Sequence, residues 1–359
     1  MTKFSKKQII TFIVGFVSLI LFFVLTAISH GMISSLKDQQ LAKSWNKEGD
    51  YAQISCLFTT KAQVSEMTVR SFGYQLESIL MEESLWSEDS PARAFVAAYS
   101  GNGSISIANS RANLTVDAIG VGGDFFLFHP IELLSGTYFD GNMLMQDYII
   151  IDEDAAWQLF GSYDIAGMKV MVGNVEHTII GVAKRDQSKV AKAAGLSGST
   201  AYISYSSLEK YGSSEGITAY EVVMPNPVDE YALNTVKDNL GVPKEETEYI
   251  ENTERFSTVS LFNVIKGFGK RSMQTKAVIY PYWENIARYY EDVLAMLLVF
   301  RIILVGIPVV MLVVLGIKLW RRRTFTLKGV MKKLGEFIIT GKDACIKKIK
   351  SKRKKREEV

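Results

Sequence analysis

One apolar run near the end of the chain limits its fold more than any other feature. Residues 293–320 read VLAMLLVFRIILVGIPVVMLVVLGIKLW. About 20 predominantly apolar residues cross the hydrocarbon core of a bilayer, and 302–320 nearly meet that length alone. Tyr280, Tyr282, Trp283, Tyr289 and Tyr290 precede the run, where an interfacial aromatic belt would sit. Arg321, Arg322 and Arg323 follow it at once. The run is therefore read as a transmembrane helix over 293–320 with its cationic end at the cytoplasmic surface.

A second apolar run, 9–29, follows Lys3, Lys6 and Lys7. A signal peptide is the rival reading, because Ala27-Ile28-Ser29 resembles a cleavage site. Signal sequences carry apolar stretches of about 7–15 residues, and this one is longer, so it is read as a retained transmembrane helix. The net charge of +3 conceals an asymmetry: 318–359 hold 16 Lys and Arg against 4 Asp and Glu, and 1–29 hold three Lys and no acid. The stretch between them is net acidic. Lys and Arg are retained on the cytoplasmic side, so both termini are expected inside and the middle outside. Cys56 and Cys345 then lie on opposite sides and cannot pair within one chain.

The segments follow in order. They are a cytoplasmic N-terminus (1–8), the first membrane helix (9–29), an extracytoplasmic domain (30–280), an amphipathic interfacial helix (281–292), the second membrane helix (293–320) and a basic cytoplasmic tail (321–359). In the domain, 31–50 reads as a polar, partly helical stalk. A strand is expected over 51–59 and a helix over 61–83, with Val64, Met67, Phe72, Leu76, Ile79 and Leu80 near helical spacing. Residues 95–99 and 104–108 read as two strands about a Gly101-Asn102-Gly103 turn. Further strands are expected at 115–121, 148–151 and 201–204, and a hairpin at 168–182 turned on Gly173-Asn174. A helix over 153–160 is expected to stop at Gly161, and 186–199 is expected to be a loop. A strand–helix–strand pattern over 219–250 matches the opening one. The fold class is thus α+β: a split α/β lobe with an inserted mostly-β lobe at about 117–210, held by two transmembrane helices.

From 116 to 182 a series of residues appears in order. Gly120-Val121 is followed by Phe125-Phe126, then by 134–139 (LSGTYF) and by Ile149-Ile150-Ile151. Ala155-Ala156 with Leu159-Phe160-Gly161, Ile165-Ala166-Gly167, Val170 and Ile179-Ile180-Gly181-Val182 complete it. The series resembles the periplasmic core domain of MacB-type transporters, within the wider group that includes FtsX-type permeases. The resemblance implies a membrane subunit of an ABC-type transporter or mechanotransmission complex, relaying motion from a cytoplasmic ATPase to the external domain. Such permeases continue to a third and fourth membrane helix, and the tail here has no further 18-residue apolar run, so the chain reads as a half-length member. An ATPase needs a phosphate loop such as GxxxxGK[ST], and Gly267-Phe268-Gly269-Lys270 has the wrong spacing. No ATP site is therefore expected in this chain, and the expected partners are a cytoplasmic ABC ATPase and a second permease-like chain or second copy. The alternative is a binding or sensing module on two helices, independent of ATP.

Candidate contact residues follow from cost. Arg301 lies in the apolar run, where a charge at the bilayer centre costs roughly 2.5–3.5 kcal/mol. It either meets a partner helix or snorkels to the surface. Pro308 frees a carbonyl and can kink the helix. Arg321, Arg322, Arg323, Lys328, Lys332 and Lys333 are candidates for anionic lipid, at about 1 kcal/mol per basic residue, or for the ATPase. Nucleic acid is not an expected partner of a membrane chain. Asp152, Glu153 and Asp154 suit a helix start, where the dipole favours acids. His30, His129 and His177 lack metal-ligand spacing, and no GxSxG, HExxH or CxxC is present. No catalytic, cofactor or metal residue is assigned.

Overall fold

The computed structural model describes residues 6–45, 50–141, 145–271 and 280–321. They divide into two compact units, Leu25–Phe300 and Met1–Val24 with Arg301–Val359. In chain order the first elements are α1 (Lys6–Ser35), α2 (Leu41–Trp45), β1 (Tyr51–Phe58), α3 (Glu66–Glu82) and β2 (Val96–Ala108). There follow β3 (Asn113–Gly123), α4 (Phe125–Phe128), β4 (Leu133–Gly136), β5 (Tyr148–Asp152), α5 (Glu153–Phe160), β6 (Lys169–Val172) and β7 (Val175–Ala183). Next are α6 (Lys189–Ala194), β8 (Thr200–Ser204), α7 (Tyr205–Tyr211), β9 (Ser213–Ser214) and β10 (Ala219–Pro225). The last are α8 (Tyr231–Asn239), β11 (Thr247–Glu251), α9 (Thr258–Arg271) and α10 (Tyr282–Arg321).

Strands β11, β1, β10 and β2 lie side by side in that order, each antiparallel to its neighbour. Helix α3 connects β1 to β2 and α8 connects β10 to β11, each crossing over one intervening strand, giving a split β-α-β arrangement of the ferredoxin-like kind. The chain between β2 and β10 forms the inserted, mostly-β lobe. Its strands extend the same sheet through β3, β8, β5, β7 and β4, with β3–β8 and β5–β7 parallel.

The period-2 alternation of strands assigns the faces. Ala52, Ile54, Cys56 and Phe58 of β1 and Tyr220, Val222 and Met224 of β10 pack under Phe72, Leu76 and Leu80 of α3 and Val236 of α8. The opposite face carries Leu57, Val96, Ala98 and Val223, covered by Leu41, Phe125, Phe126, Phe128 and Trp283. A separate core in the inserted lobe gathers Ile105, Ile107, Ile149, Ile151, Leu159, Val172 and Ile179.

Helix α5 illustrates local control. Asp152 caps it by accepting the Ala155 N–H at 2.8 Å, and Gly161 ends it in the left-handed region at φ 66°. The β6–β7 hairpin turns on Gly173-Asn174 as read.

Several expectations need correction. Residues 96–108 form one strand, not two about a turn. Gly101 and Gly103 are there for space: a Cβ would lie 2.2 Å from the Gly216 carbonyl oxygen or 2.1 Å from that of Ser213. Residues 186–199 contain α6, capped by Ser188. The helix expected from 61 starts at Glu66 behind the Ser65 cap, and its inward face uses Val69 while Met67 is 71% exposed. Residues 36–42, expected within a stalk over 31–50, belong to the folded domain, since Leu36, Gln39, Leu41 and Ala42 are buried in it.

The described residues of the other unit, 6–24 and 301–321, are helical. Within α1 and α10, 9–35 and 282–318 are long and apolar enough to cross a membrane. Phe16, Phe23, Val310 and Leu312 are more than 60% exposed, as side chains meeting lipid would be. Gly15 packs so closely on Met311 that a Cβ would lie 2.8 Å from its Cε.

Candidate functional site

The second face of the β11-β1-β10-β2 sheet carries polar residues where strand alternation would place water. Gln53 and Ser55 of β1 and Glu221 of β10 are 0%, 3% and 3% exposed. Buried polar groups need partners, and each has one. Ser55 Oγ donates to Glu221 Oε1 at 2.7 Å, and Asn252 Nδ2 donates to Ser55 Oγ at 2.7 Å. Gln53 Oε1 accepts the Leu41 N–H at 3.0 Å, and its Nε2 donates to the Asp38 carbonyl at 2.6 Å.

His129, just beyond α4, closes this floor. Its Nε2 meets the second oxygen of Glu221, and its Nδ1 lies 3.7 Å from Asp38 Oδ2. Its ring lies against Trp283 of α10 with centroids 4.0 Å apart. Burial works against a charged imidazole here, but Glu221 and Asp38 outweigh it and hold the pKa up at about 9. An imidazolium is thus held between two carboxylates inside the domain.

Above the floor sits Arg255, in the link between β11 and α9, 5% exposed. Its Nη1 and Nη2 donate to the two oxygens of Glu284 at 2.6 and 2.7 Å, a bidentate fork. Its Nε donates to Glu291 at 2.6 Å, and Nη1 also reaches Gln39 at 3.1 Å and Asn252 at 3.3 Å. Arg288 Nε donates to Glu284 at 2.7 Å and its Nη2 to Glu248 of β11 at 2.6 Å. Tyr280 Oη donates to the other oxygen of Glu248 at 2.6 Å and lies under the Arg288 guanidinium, 4.0 Å from the ring centre. Burial opposes the Arg255 charge, but Glu284 and Glu291 more than offset it and push the pKa above the usual arginine range.

The first turns of α10 are therefore tied to β11, to the 36–45 segment and to the sheet floor through charged groups. Buried ion pairs add little net stability against an apolar alternative, but removing one partner is costly. Their effect is geometric: rotating or sliding α10 by one residue would strand Glu284, Arg288 and Glu291 from their partners. The floor's hydroxyl–carboxylate pair, Ser55 and Glu221, is buried, each residue 3% exposed. Cys56 is fully buried, and burial pushes its thiol pKa up, with Glu221 adding to the effect. Among the described residues no group of three or more His, Cys, Asp or Glu could hold a metal ion. An open cleft of about 450 Å³ lies elsewhere, beside α3, lined by Arg70, Trp86, Arg93, Tyr99 and Asp124.

This joint corrects the reading of 281–292 as an interfacial helix and of the preceding aromatics as a membrane belt. Trp283, Glu284, Ala287 and Glu291 are 3%, 2%, 1% and 7% exposed. They face protein, and only Tyr289 of the five aromatics is as much as 48% exposed. Sequence reading missed the joint because Arg255 meets Glu284 and Glu291 from 29 and 36 residues away and Gln39 from 216. The available signal was the 4, 3 spacing of Glu284, Arg288 and Glu291, which puts all three on one helix face.

Arg301 is half-buried with its guanidinium 5.7 Å from the centre of the Phe22 ring of α1. Pro308 lies inside α10, and Arg321 is its exposed last residue. Arg322, Arg323, Lys328, Lys332 and Lys333 lie outside the described residues. Asp152 accepts from Thr200 N at 2.8 Å besides capping α5, and Asp154 pairs with Arg185.

Residues 9–237 match the family described as the MacB-like periplasmic core domain. An 80-residue stretch is 32% identical to the macrolide export ATP-binding/permease protein MacB of Chromobacterium violaceum, covering 21% of this chain and 12% of that protein. This chain thus matches only about an eighth of that relative's length. Among solved structures, the periplasmic region of MacB from Actinobacillus actinomycetemcomitans aligns at 14% identity and a TM-score of 0.38, covering 62% of this chain and 94% of that one. The extracellular domain of the noncanonic ABC-type transporter YknZ from Gram-positive bacteria aligns at 14% identity and 0.37, covering 55% and 99%.

Proposed function

This chain belongs to the MacB-like periplasmic core domain family, and we propose on that footing that it relays motion across a membrane. It is a membrane protein with an extracytoplasmic domain and a permease relative of ABC-type transporters. In the proposed relay, ATP is hydrolysed by a separate cytoplasmic ABC ATPase. Both termini of this chain are cytoplasmic, and it works beside a second permease-like chain or a second copy. The basic tail binds anionic lipid or the ATPase. The observation that carries the reading is the Arg255–Glu284–Glu291 joint. A helix held to a folded domain only by apolar packing can slip, whereas paired buried charges fix its rotation and height. Movement of α10 would then reach the β11-β1-β10-β2 sheet rather than dissipate at its base.

Purification of the full chain in mild detergent tests this reading. It should bring down an ABC ATPase, and ATP should change protease protection of the 30–280 body. Arg255→Met should leave the ATPase bound and hydrolysing while that change in protection disappears. Recovery of no ATPase, with ligand binding unaffected by ATP depletion, would leave the chain an ATP-independent binding module. Protease added outside intact cells should cut the body and spare the Lys-rich terminus; the opposite pattern would reverse the topology.

A further inference from the structure

Helix α9 is apolar on two sides. Leu261 and Val264, 4% and 7% exposed, turn inward. Leu261 packs on Leu294 and Leu298 of α10, and Met32, Ile33 and Ile265 complete the cluster. On another face Val259 is 72% and Phe262 46% exposed, with Lys266 continuing the stripe at spacings of 3 and 4. Phe268, at the far end, is 48% exposed. A helix on a water-facing surface would place polar groups along that stripe. The Lys266 ammonium lies 4.8 Å from the Phe262 ring centre, a cation set over an exposed aromatic.

Two further observations select what covers this face. The α9 sequence holds Lys266, Lys270 and Arg271 and no Asp or Glu, although the chain between the membrane runs is net acidic. The helix also packs on Leu294 and Leu298, which belong to the apolar run that begins at residue 293. Its outer face therefore stands where chain meets lipid, with the charge sign that anionic headgroups attract.

We infer that α9 is an interfacial helix, seated in the headgroup–acyl boundary of the extracytoplasmic leaflet and binding anionic lipid. Val259 and Phe262 enter the acyl region while Lys266 stays at headgroup level. The inference rests on the reading of α1 and α10 as membrane helices. It puts the interfacial role expected of 281–292 onto 258–271.

The test uses the full chain in lipid nanodiscs, made either of phosphatidylcholine alone or with phosphatidylglycerol added. Cys345→Ser removes one thiol, and buried Cys56 does not label. Nitroxides are then placed by Val259→Cys and Phe262→Cys, by Tyr74→Cys on α3, which is 73% exposed, and by Val309→Cys on α10, which is 51% exposed. Power saturation compares access of oxygen with that of a water-soluble nickel chelate. At 259 and 262 the oxygen-to-nickel ratio should be several-fold above that at 74 and should approach that at 309. It should fall on Lys266→Glu only when phosphatidylglycerol is present. A ratio at 259 and 262 equal to that at 74, with 309 still favouring oxygen, overturns the inference and leaves the membrane reading intact. Shielding of 259 and 262 from both reagents would mean a protein contact and also overturns it. Nickel access at 309 would overturn the membrane reading itself.

Discussion

Removing Arg255 should show whether the charged joint holds α10 in place. Arg255→Met keeps length and apolar stem but deletes two bonds to Glu284, one to Glu291 and those to Gln39 and Asn252. Breaking a buried ion pair by deleting one partner costs about 3–5 kcal/mol. Glu284 keeps Arg288 at 2.7 Å, which places this case at the lower end, about 3 kcal/mol. For a body of this size that corresponds to a drop of about 6–12 °C in Tm. The assay is thermal unfolding of the full chain in nanodiscs, followed by near-ultraviolet circular dichroism. Lys169→Met is the control, since Lys169 and Glu176 are 59% and 55% exposed, and such pairs contribute no more than about 1 kcal/mol. The triple variant Arg255→Met, Glu284→Gln, Glu291→Gln should recover most of the loss, because the cost lies in stranded charge rather than in missing attraction. If Arg255→Met costs no more than Lys169→Met, the joint does not hold the helix.

Three further outcomes are expected. Folding raises the His129 pKa from its ordinary 6.5 to about 9. Its pairing therefore contributes fully below pH 6.5 and is lost as pH climbs through 9, and on the order of 3 kcal/mol should disappear over that window. His129→Gln should flatten this stretch of the stability–pH curve, and an unchanged slope would rule the residue out. Gly103→Ala should cost about 1–3 kcal/mol by overpacking, read as a lower urea midpoint, because the new Cβ meets the Ser213 carbonyl at 2.1 Å. Asp152→Ala should lose about 1 kcal/mol from the cap and about 1–3 kcal/mol from the Thr200 N–H left without its acceptor, with Asp152→Asn milder in the same titration.

Local chemistry made much of this fold legible. Asp152 and Gly161 bracket α5, Gly173-Asn174 turns a hairpin, and the repeat of strand–helix–strand at 51–108 and 219–251 announces the split lobe. Elsewhere two physical causes leave the same trace in sequence. Gly101 and Gly103 can mark a turn or a strand crossed closely by another backbone, and sequence does not separate these. Trp283 and the charges that follow it fit an amphipathic helix at a lipid surface as well as one pressed against protein. Gln53, Ser55 and Glu221 alternate with apolar neighbours as water-facing strand residues do, yet they lie under α10 and His129. The partners that reveal the joint come from three separate stretches of chain, around Gln39, at 248–255 and at 280–291, and no local window contains them.

The register of β2 bears on any attempt to trim this protein. Gly103 and Ser104 pair with Ser214 and Ser213, and Ser100 with Ala219, so the inserted lobe leaves and re-enters at neighbouring rungs. By hydrogen bonding alone, a shortened chain could close there with a tight hairpin. Packing argues otherwise: Phe125, Phe126, Phe128 and His129, all from the insert, roof the sheet's second side. Excision would bare those hydrophobic strands to solvent and open the carboxylate of Glu221 to water. A minimal fragment would need both lobes, and recombination between relatives at this seam would succeed only where the roofing aromatics travel with the floor they cover.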